Sequence, residues 1–279
     1  INQGFEVIGI DNNSTGDYEN PLITSQINED LRYISQDDLY QYLNDCDVII
    51  HLASTARVQP SYINPEPYFS NNIGNLSNVL NALKTWKGRF IYVSTSSVYG
   101  GMKYKSSKFN YEFDNLNPKS PYGLSKKMAE DLCLHHYTKY FMDIRIVRPF
   151  NIYGERMSTN NGYSTLLSIL LEKYKNKEPL TISGDGKQSR DFTHISDICN
   201  GINLIAATKS HERIFNIGSG RSYSINQIIE AFPVTCKVDT IPKMIDEIHR
   251  TCASLQLMSS IGYKSKENVI EWIQKIGRA

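Results

Sequence analysis

The stretch Arg89–Gly100, R-F-I-Y-V-S-T-S-S-V-Y-G, decides the fold class. Its first part, Arg89–Thr95, is aromatic and β-branched with nearly continuous apolar residues, which predicts a strand covered on both faces in a parallel sheet. Its second half is rich in hydroxyl groups and ends in glycine, which closes the strand. The same kind of apolar run occurs at three other places: Glu6–Asp11, Asp47–Ser54 and Asp143–Phe150.

Longer helical patterns separate these runs. We predict helices at Asp37–Asn44, Pro67–Trp86 and Tyr122–Tyr140, the last with Leu124, Met128 and Leu132 four residues apart. Alternating strands and helices predict an α/β fold with a doubly wound parallel sheet. After residue 150 the pattern loosens, with helices expected near Ser164–Lys175 and Glu267–Ile276. We therefore expect a first domain over 1–150 and a smaller lobe over 151–279, interleaved with it.

Composition narrows the class of protein. The 279 residues include 30 Lys plus Arg and 29 Asp plus Glu, a net charge of +1, which gives no electrostatic reason to expect nucleic acid or an anionic membrane as a partner. No apolar run approaches the ~18 residues of a membrane helix. The five cysteines are scattered and the six histidines lack metal-ligand spacing. We expect no metal, no disulfide framework and a cytoplasmic location.

The segment Y-G-L-S-K places Tyr122 and Lys126 four residues apart, on one face of the predicted helix. A nearby ammonium would lower the pKa of the phenol from ~10 and make Tyr122 a general base. Chance remains an alternative for this pair alone, because the chain has 18 tyrosines. Thr95, at the carboxyl end of a predicted strand, adds a hydroxyl at the sheet edge where ligands bind.

Together these motifs resemble the extended short-chain dehydrogenase/reductases, the NAD-dependent epimerase/dehydratase family. The resemblance runs from residue 5 to about residue 230 and implies a Rossmann-like NAD-binding domain over 1–150. It assigns Thr95 as the catalytic hydroxyl, Tyr122 as base and Lys126 as its partner. The residues that it implies for cofactor binding are Asp11 in I-D-N-N-S-T-G, Asp30, Leu31, Ala53 in H-L-A-S, Asn72, Tyr122, Lys126 and Pro149.

The resemblance also implies a nucleotide-sugar substrate, a UDP-hexose, and a homodimer. Asn151 in R-P-F-N and Arg190 in G-D-G-K-Q-S-R-D-F would contact the substrate diphosphate, since a guanidinium offers a diphosphate paired hydrogen bonds. Thr95 would also touch the sugar. The last segment departs from the family, with Met244 and Glu247 at positions that commonly hold arginine and aspartate, and Arg250 is the arginine still available.

A further departure concerns the glycine fingerprint of dinucleotide-binding proteins, which should precede the ribose acid by ~20 residues. Because Asp11 takes the place of that acid, we expect the fingerprint, with a central strand, upstream of Ile1. Residues 1–4 would end the first helix, the sheet would be N-terminally truncated, and little activity is expected of these residues alone.

Ser96 and Ser97 bear on the reaction. Family dehydratases carry Asp-Glu just after the catalytic threonine, and decarboxylases carry a glutamate nearby, whereas serine hydroxyls are poor bases at neutral pH. This favours C4 epimerisation through a 4-keto intermediate, and I-D-N-N-S-T-G is also similar to UDP-glucose 4-epimerases. A 4,6-dehydratase, a decarboxylase and a catalytically silent sugar-nucleotide-binding or regulatory protein are the alternatives.

Overall fold

The structure, a computed structural model, describes residues 4–14, 23–102, 107–157, 164–233, 236–243 and 246–276. Met244, predicted to replace a family arginine, and residues 1–3, predicted to end a helix, lie outside these ranges. The strands are β1 (Ile8–Asp11), β2 (Ser25–Asn28), β3 (Val48–His51), β4 (Arg89–Val93), β5 (Asp143–Pro149), β6 (Ile152–Tyr153), β7 (Leu180–Ser183), β8 (Ser189–Asp191), β9 (Thr193–His194), β10 (Ile214–Ile217), β11 (Ser222–Ser224) and β12 (Val238–Ile241).

Helices connect most of these strands. They are α1 (Gln36–Leu43), α2 (Val58–Ile63), α3 (Glu66–Ala82), α4 (Pro121–Tyr140), α5 (Leu166–Lys175), α6 (Ile195–Ala207), α7 (Ile225–Glu230), α8 (Gln256–Ser260) and α9 (Val269–Ile276), with a 3₁₀ helix at Ser96–Tyr99. No helix in the described ranges is both long and apolar enough to cross a membrane. Within the same ranges, no group of three or more His, Cys, Asp or Glu side chains could hold a metal ion.

A four-stranded parallel sheet in the order β3-β4-β5-β10 forms the centre of the fold, and β1 and β2 form a separate parallel pair. Successive residues of β4 point to opposite faces. Phe90 and Tyr92 pack with α1, α3 and α4, whereas Ile91 and Val93 pack with α6 and α8. Because helices cover both faces, the predicted doubly wound parallel sheet is confirmed.

A second core lies within the later part of the chain. It joins α5, α7 and α9 through side chains that include Leu170, Ile228 and Trp272. Strand β10 and helix α6 come from the same part of the chain but pack on the central sheet. The division into domains at residue 150 stays a prediction.

Candidate functional site

Thr95 begins the sharp turn that follows β4. Its backbone is extended (φ −162°, ψ 151°), and its side chain caps the 3₁₀ helix by accepting a hydrogen bond from the Ser97 amide at 3.2 Å. Gly100 ends that helix at φ +66°, where a Cβ would lie 1.8 Å from the Asn117 carbonyl oxygen. Only glycine fits this position, so the local sequence fixes Thr95 at the carboxyl end of the sheet.

Tyr122 lies in the first turn of α4. The helix begins at Ser120, whose Oγ accepts a hydrogen bond from the Gly123 amide at 3.0 Å, with Pro121 at the first helical position. Burial raises the pKa of the Tyr122 phenol above its ordinary value, while a hydrogen bond from Thr95 and the charge of Arg57 oppose that rise. The predicted lowering of this pKa is therefore wrong, because burial of the phenol is the largest influence.

Lys126 is buried on α4, one helical turn after Tyr122. Its Nζ donates a hydrogen bond to the Val93 carbonyl oxygen at 2.7 Å and lies 4.5 Å from the ring centroid of Tyr92. Burial lowers the pKa of Lys126 to about 7, although the charge of Glu130 opposes that effect. The ammonium is thus engaged with β4. The cation that acts on the Tyr122 phenol is Arg57.

The loop between β3 and α2 lies beside Tyr122 and is held by α3. Asn72 accepts a hydrogen bond from the Thr55 amide at 2.7 Å and donates to the Thr55 carbonyl oxygen at 3.1 Å and to Ser125 Oγ at 2.9 Å. Asn75 Nδ2 donates to the Ala53 carbonyl oxygen at 3.2 Å. The amide of Asn72 therefore fixes the loop to α4, and its contact with a cofactor stays a prediction.

Arg57, at the end of this loop, has an unusual backbone with φ +101° and ψ 133°. Such angles are strained for a residue with a side chain and cost on the order of 1–3 kcal/mol. Tyr68 helps to hold the strained segment, because its hydroxyl donates to the Ala56 carbonyl oxygen at 3.3 Å while its ring lies 6.1 Å from that of Tyr122.

The predicted adenosine contacts meet at the ends of β1 and β2. Asp11 is exposed at the end of β1, and its Oδ1 accepts a hydrogen bond from the Asn13 amide at 2.8 Å. Asn12 donates to Asp30 Oδ2 at 3.0 Å, and the neighbouring Arg32 guanidinium holds the pKa of Asp30 well below its usual range. Leu31 packs partly buried against the core below.

The predicted diphosphate contacts lie in the part of the chain that follows β5. Asn151 follows the buried Pro149, and its Nδ2 donates to the Asp191 carbonyl oxygen at 2.9 Å. Arg190 Nη1 donates to the Ser189 carbonyl oxygen at 2.9 Å, and burial lowers the pKa of this arginine to about 10. Arg250 is exposed on a segment that pairs with Ser189 in a parallel bridge.

Asp191, which the sequence did not indicate, organises this side of the site. Its buried carboxylate accepts hydrogen bonds from the backbone amides of Ser219, Gly220 and Ala253 at 2.8–3.0 Å, and from the Ser219 hydroxyl at 2.6 Å. One side chain thus joins β8, the loop after β10 and the segment that contains Arg250. The only signal in the sequence is its place beside Arg190 in S-R-D-F.

A known protein family matches the part of the chain that carries most of these residues. The NAD dependent epimerase/dehydratase family matches residues 1–218, which include β1, β3, Thr95, Tyr122, Lys126 and Arg190. The chain belongs to that family. Thr95 follows strand β4, whereas Tyr122 and Lys126 lie on helix α4, and the role of each residue stays a prediction.

Relatives of this family member include enzymes of several kinds. UDP-glucuronic acid decarboxylase 1 of Arabidopsis thaliana is 30% identical over 99% of the chain, and the chain spans 62% of the plant protein's length. UDP-glucuronate 4-epimerase of Thermodesulfobacterium geofontis is 36% identical over 65% of the chain and 54% of its own length. The crystal structure of UDP-glucuronic acid 4-epimerase from Bacillus cereus, in complex with UDP-glucuronic acid and NAD, is 29% identical with a TM-score of 0.86. It matches over 98% of this chain and 90% of that one.

Proposed function

We propose that the protein is an NAD-dependent nucleotide-sugar epimerase that inverts C4 of a UDP-hexose through a 4-keto intermediate. The observation that carries the proposal is the group at the end of β4, where Thr95 is near enough to the Tyr122 phenol to oppose the effect of burial on its pKa and the buried Lys126 Nζ donates to the Val93 carbonyl oxygen at 2.7 Å. A protein that only binds sugar nucleotides needs no such proton-transfer group. Two relatives named above are 4-epimerases.

The residues present suit NAD. Within the described residues Asp11 Oδ2 accepts no hydrogen bond, so an exposed carboxylate oxygen remains for a ribose hydroxyl. Ala53 follows β3, and because its side chain is small, NAD could approach the backbone there. Asp30, Leu31 and Pro149 would line the same edge of the sheet. Bound NAD would supply a reversible hydride acceptor for C4.

The protein's own side chains would handle the proton. Tyr122 would accept the proton of the C4 hydroxyl, and Thr95 would hold that oxygen by a hydrogen bond. Lys126 would be the partner that the family assigns to Tyr122, held in place through its hydrogen bond to β4. Arg190 has its guanidinium largely removed from water and, within the described residues, one hydrogen bond to a carbonyl oxygen, so it would pair with the diphosphate, with Asn151 and Arg250 beside it.

Ser96 and Ser97 separate epimerisation from the other family reactions. Removing the C5 proton of a 4-keto sugar requires a positioned base, and Ser97 is instead hydrogen-bonded to Thr95 at 3.2 Å. Epimerisation at C4 needs no base at C5, because the same hydride leaves and returns. The two serines therefore support the epimerase over the dehydratase and the decarboxylase.

We expect the full-length protein, incubated in heavy water with NAD, to interconvert UDP-glucose and UDP-galactose or their N-acetylated or C6-oxidised analogues. The C4 hydrogen should be retained and C5 should carry no deuterium, both measured by mass spectrometry of the product. Deuterium at C5, loss of water to a 4-keto-6-deoxy sugar, or loss of carbon dioxide would contradict the epimerase and favour another branch of the family.

We also propose a homodimer formed through α4. Leu124 and Met128 lie one turn apart on the outer face of this helix and are 42% and 45% exposed, so a second copy could bury both. The double change Leu124→Glu/Met128→Glu should give a monomer in sedimentation equilibrium, since it places two charges in an apolar contact. Gln41→Glu, on the exposed surface of α1, is the control and should leave the dimer intact. A wild-type monomer would refute the proposal.

A further inference from the structure

A buried ion pair joins helix α4, which carries Tyr122 and Lys126, to strand β5. The Glu130 and Arg148 side chains are each 2% exposed, and two nitrogens of the guanidinium contact the carboxylate, Nη2 to Oε2 at 2.6 Å and Nε to Oε1 at 3.0 Å. Paired, charge-assisted bonds of this kind fix geometry as well as charge. The proposed reaction uses neither residue directly, so the position of the pair needs its own explanation.

The pair joins the elements that carry the catalytic residues. Ser94, the residue before Thr95, donates its hydroxyl to Glu130 Oε1 and its amide to the Val147 carbonyl oxygen at 2.8 Å. Arg148 Nη1 donates to the Tyr99 hydroxyl at 2.9 Å, in the 3₁₀ helix that Thr95 caps. The end of β4, helix α4 and strand β5 are thus tied together through Glu130.

Glu130 also lies one helical turn after Lys126, on the same buried face of α4. The Lys126 ammonium has little hydration, and the negative charge of Glu130 is the main influence that opposes the effect of burial on its pKa. Other titratable groups around the two side chains come from three elements and are His51 of β3, Tyr92 of β4 and Cys133 of α4.

We propose that Glu130 is a positioning residue for the reaction proposed above: anchored by Arg148, its carboxylate holds Ser94 and therefore Thr95 in place and favours the charged form of Lys126. The inference rests on the proposed function. Its charge component can nevertheless be measured without turnover, because Lys126 titrates whether or not a sugar is converted.

The test is the titration of Lys126, followed by the NMR signal of its side-chain carbons and assigned with Lys126→Met. We expect Glu130→Gln to lower the midpoint by about one unit or more, since a lost opposite charge destabilises the ammonium. The alkaline limb of kcat/KM should move to lower pH by a similar amount. A purely structural role would lower kcat/KM at every pH without moving either midpoint. The exposed Glu172→Gln is the matched control and should change neither.

Two further variants keep the result interpretable if Glu130→Gln folds poorly. Glu130→Gln/Arg148→Met removes both charges of the ion pair and should fold. Because loss of the Arg148 charge by itself favours the Lys126 ammonium, the midpoint should fall by less than in Glu130→Gln. Ser94→Ala leaves the ion pair intact, so the Lys126 midpoint should stay while kcat falls about tenfold or more from misplacement of Thr95. An active wild type whose Lys126 midpoint does not move in folded Glu130 variants, or Ser94→Ala with normal kcat, overturns the Glu130 proposal alone. If the wild type is inactive but Glu130→Gln still lowers the Lys126 midpoint, the proposed function is refuted and the electrostatic role of Glu130 stands.

Discussion

Replacement of Tyr122 by phenylalanine is expected to lower kcat for C4 epimerisation by about 10²–10⁴, the range that general acid–base groups contribute. The change removes one oxygen and leaves the ring, so the 6.1 Å edge contact with Tyr68 should persist. The phenol would act on a proton that moves only in the transition state, which is why turnover should fall while affinity for the nucleotide sugar stays. Steady-state kinetics of the full-length protein, with calorimetry of UDP-sugar binding, would measure both.

A matched control for this change is Tyr33→Phe, because Tyr33 is 78% exposed and lies near β2, away from α4. It should leave kcat unchanged. Near-normal turnover by Tyr122→Phe would show that another group takes the C4 proton, and the assignment of Thr95 and Lys126 as its partners would fall with it.

Replacement of Asp191 by asparagine is expected to lower the free energy of unfolding by about 2–5 kcal/mol, since each buried group left without a partner costs about 1–3 kcal/mol. Asparagine has nearly the same shape but offers one acceptor oxygen. Its NH₂ group would face amides that now donate to the carboxylate, whose Oδ1 serves Ser219 while Oδ2 serves Gly220 and Ala253. At least one of these pairs must break.

Urea denaturation would measure the loss, with Asp239→Asn as the control because Asp239 is exposed on β12. The same change should weaken UDP-sugar binding, since Arg190 neighbours Asp191 and the Arg250 segment is held through Ala253. Unchanged stability would mean that the loops after β8 and β10 do not depend on this carboxylate.

Most of the central sheet could be predicted from the sequence, because each buried parallel strand is a short, nearly continuous apolar run. The predicted strand at Arg89–Thr95 corresponds to β4, and the predicted helix at Tyr122–Tyr140 begins one residue earlier in the structure, at Pro121. Periodicity did not reveal which face of α4 is buried. Leu124 and Met128, which suggested an apolar stripe, are exposed, whereas Lys126 and Glu130 are buried. On the buried face, Lys126 bonds to β4 and Glu130 pairs with Arg148 of β5.

Within the candidate site, short sequence motifs could be recognised from their spacing, whereas contacts between residues far apart in the sequence could not be predicted. Thr95 was predicted at a strand end and Tyr122 and Lys126 at a helix start, and β4 and α4 lie at these places in the structure. That the three residues act together stays a prediction. Asp191 bonds to residues 28 and 62 positions away, and no pattern in a single sequence indicates such partners. The direction of the Tyr122 pKa shift was mispredicted for a similar reason, since burial depends on the whole fold.

The burial of Lys126 has a consequence for the proton balance of folding. Its pKa falls from an ordinary 10.5 to about 7 in the folded protein, so between these two values the unfolded chain holds a proton that the native chain has released. Folding at pH 8 or 9 is therefore coupled to proton release at this side chain, and its contribution to stability grows as the pH rises through that window and is lost as the pH falls towards 7. The contribution of this one side chain therefore favours folding in alkaline solution and opposes it in neutral and mildly acidic solution.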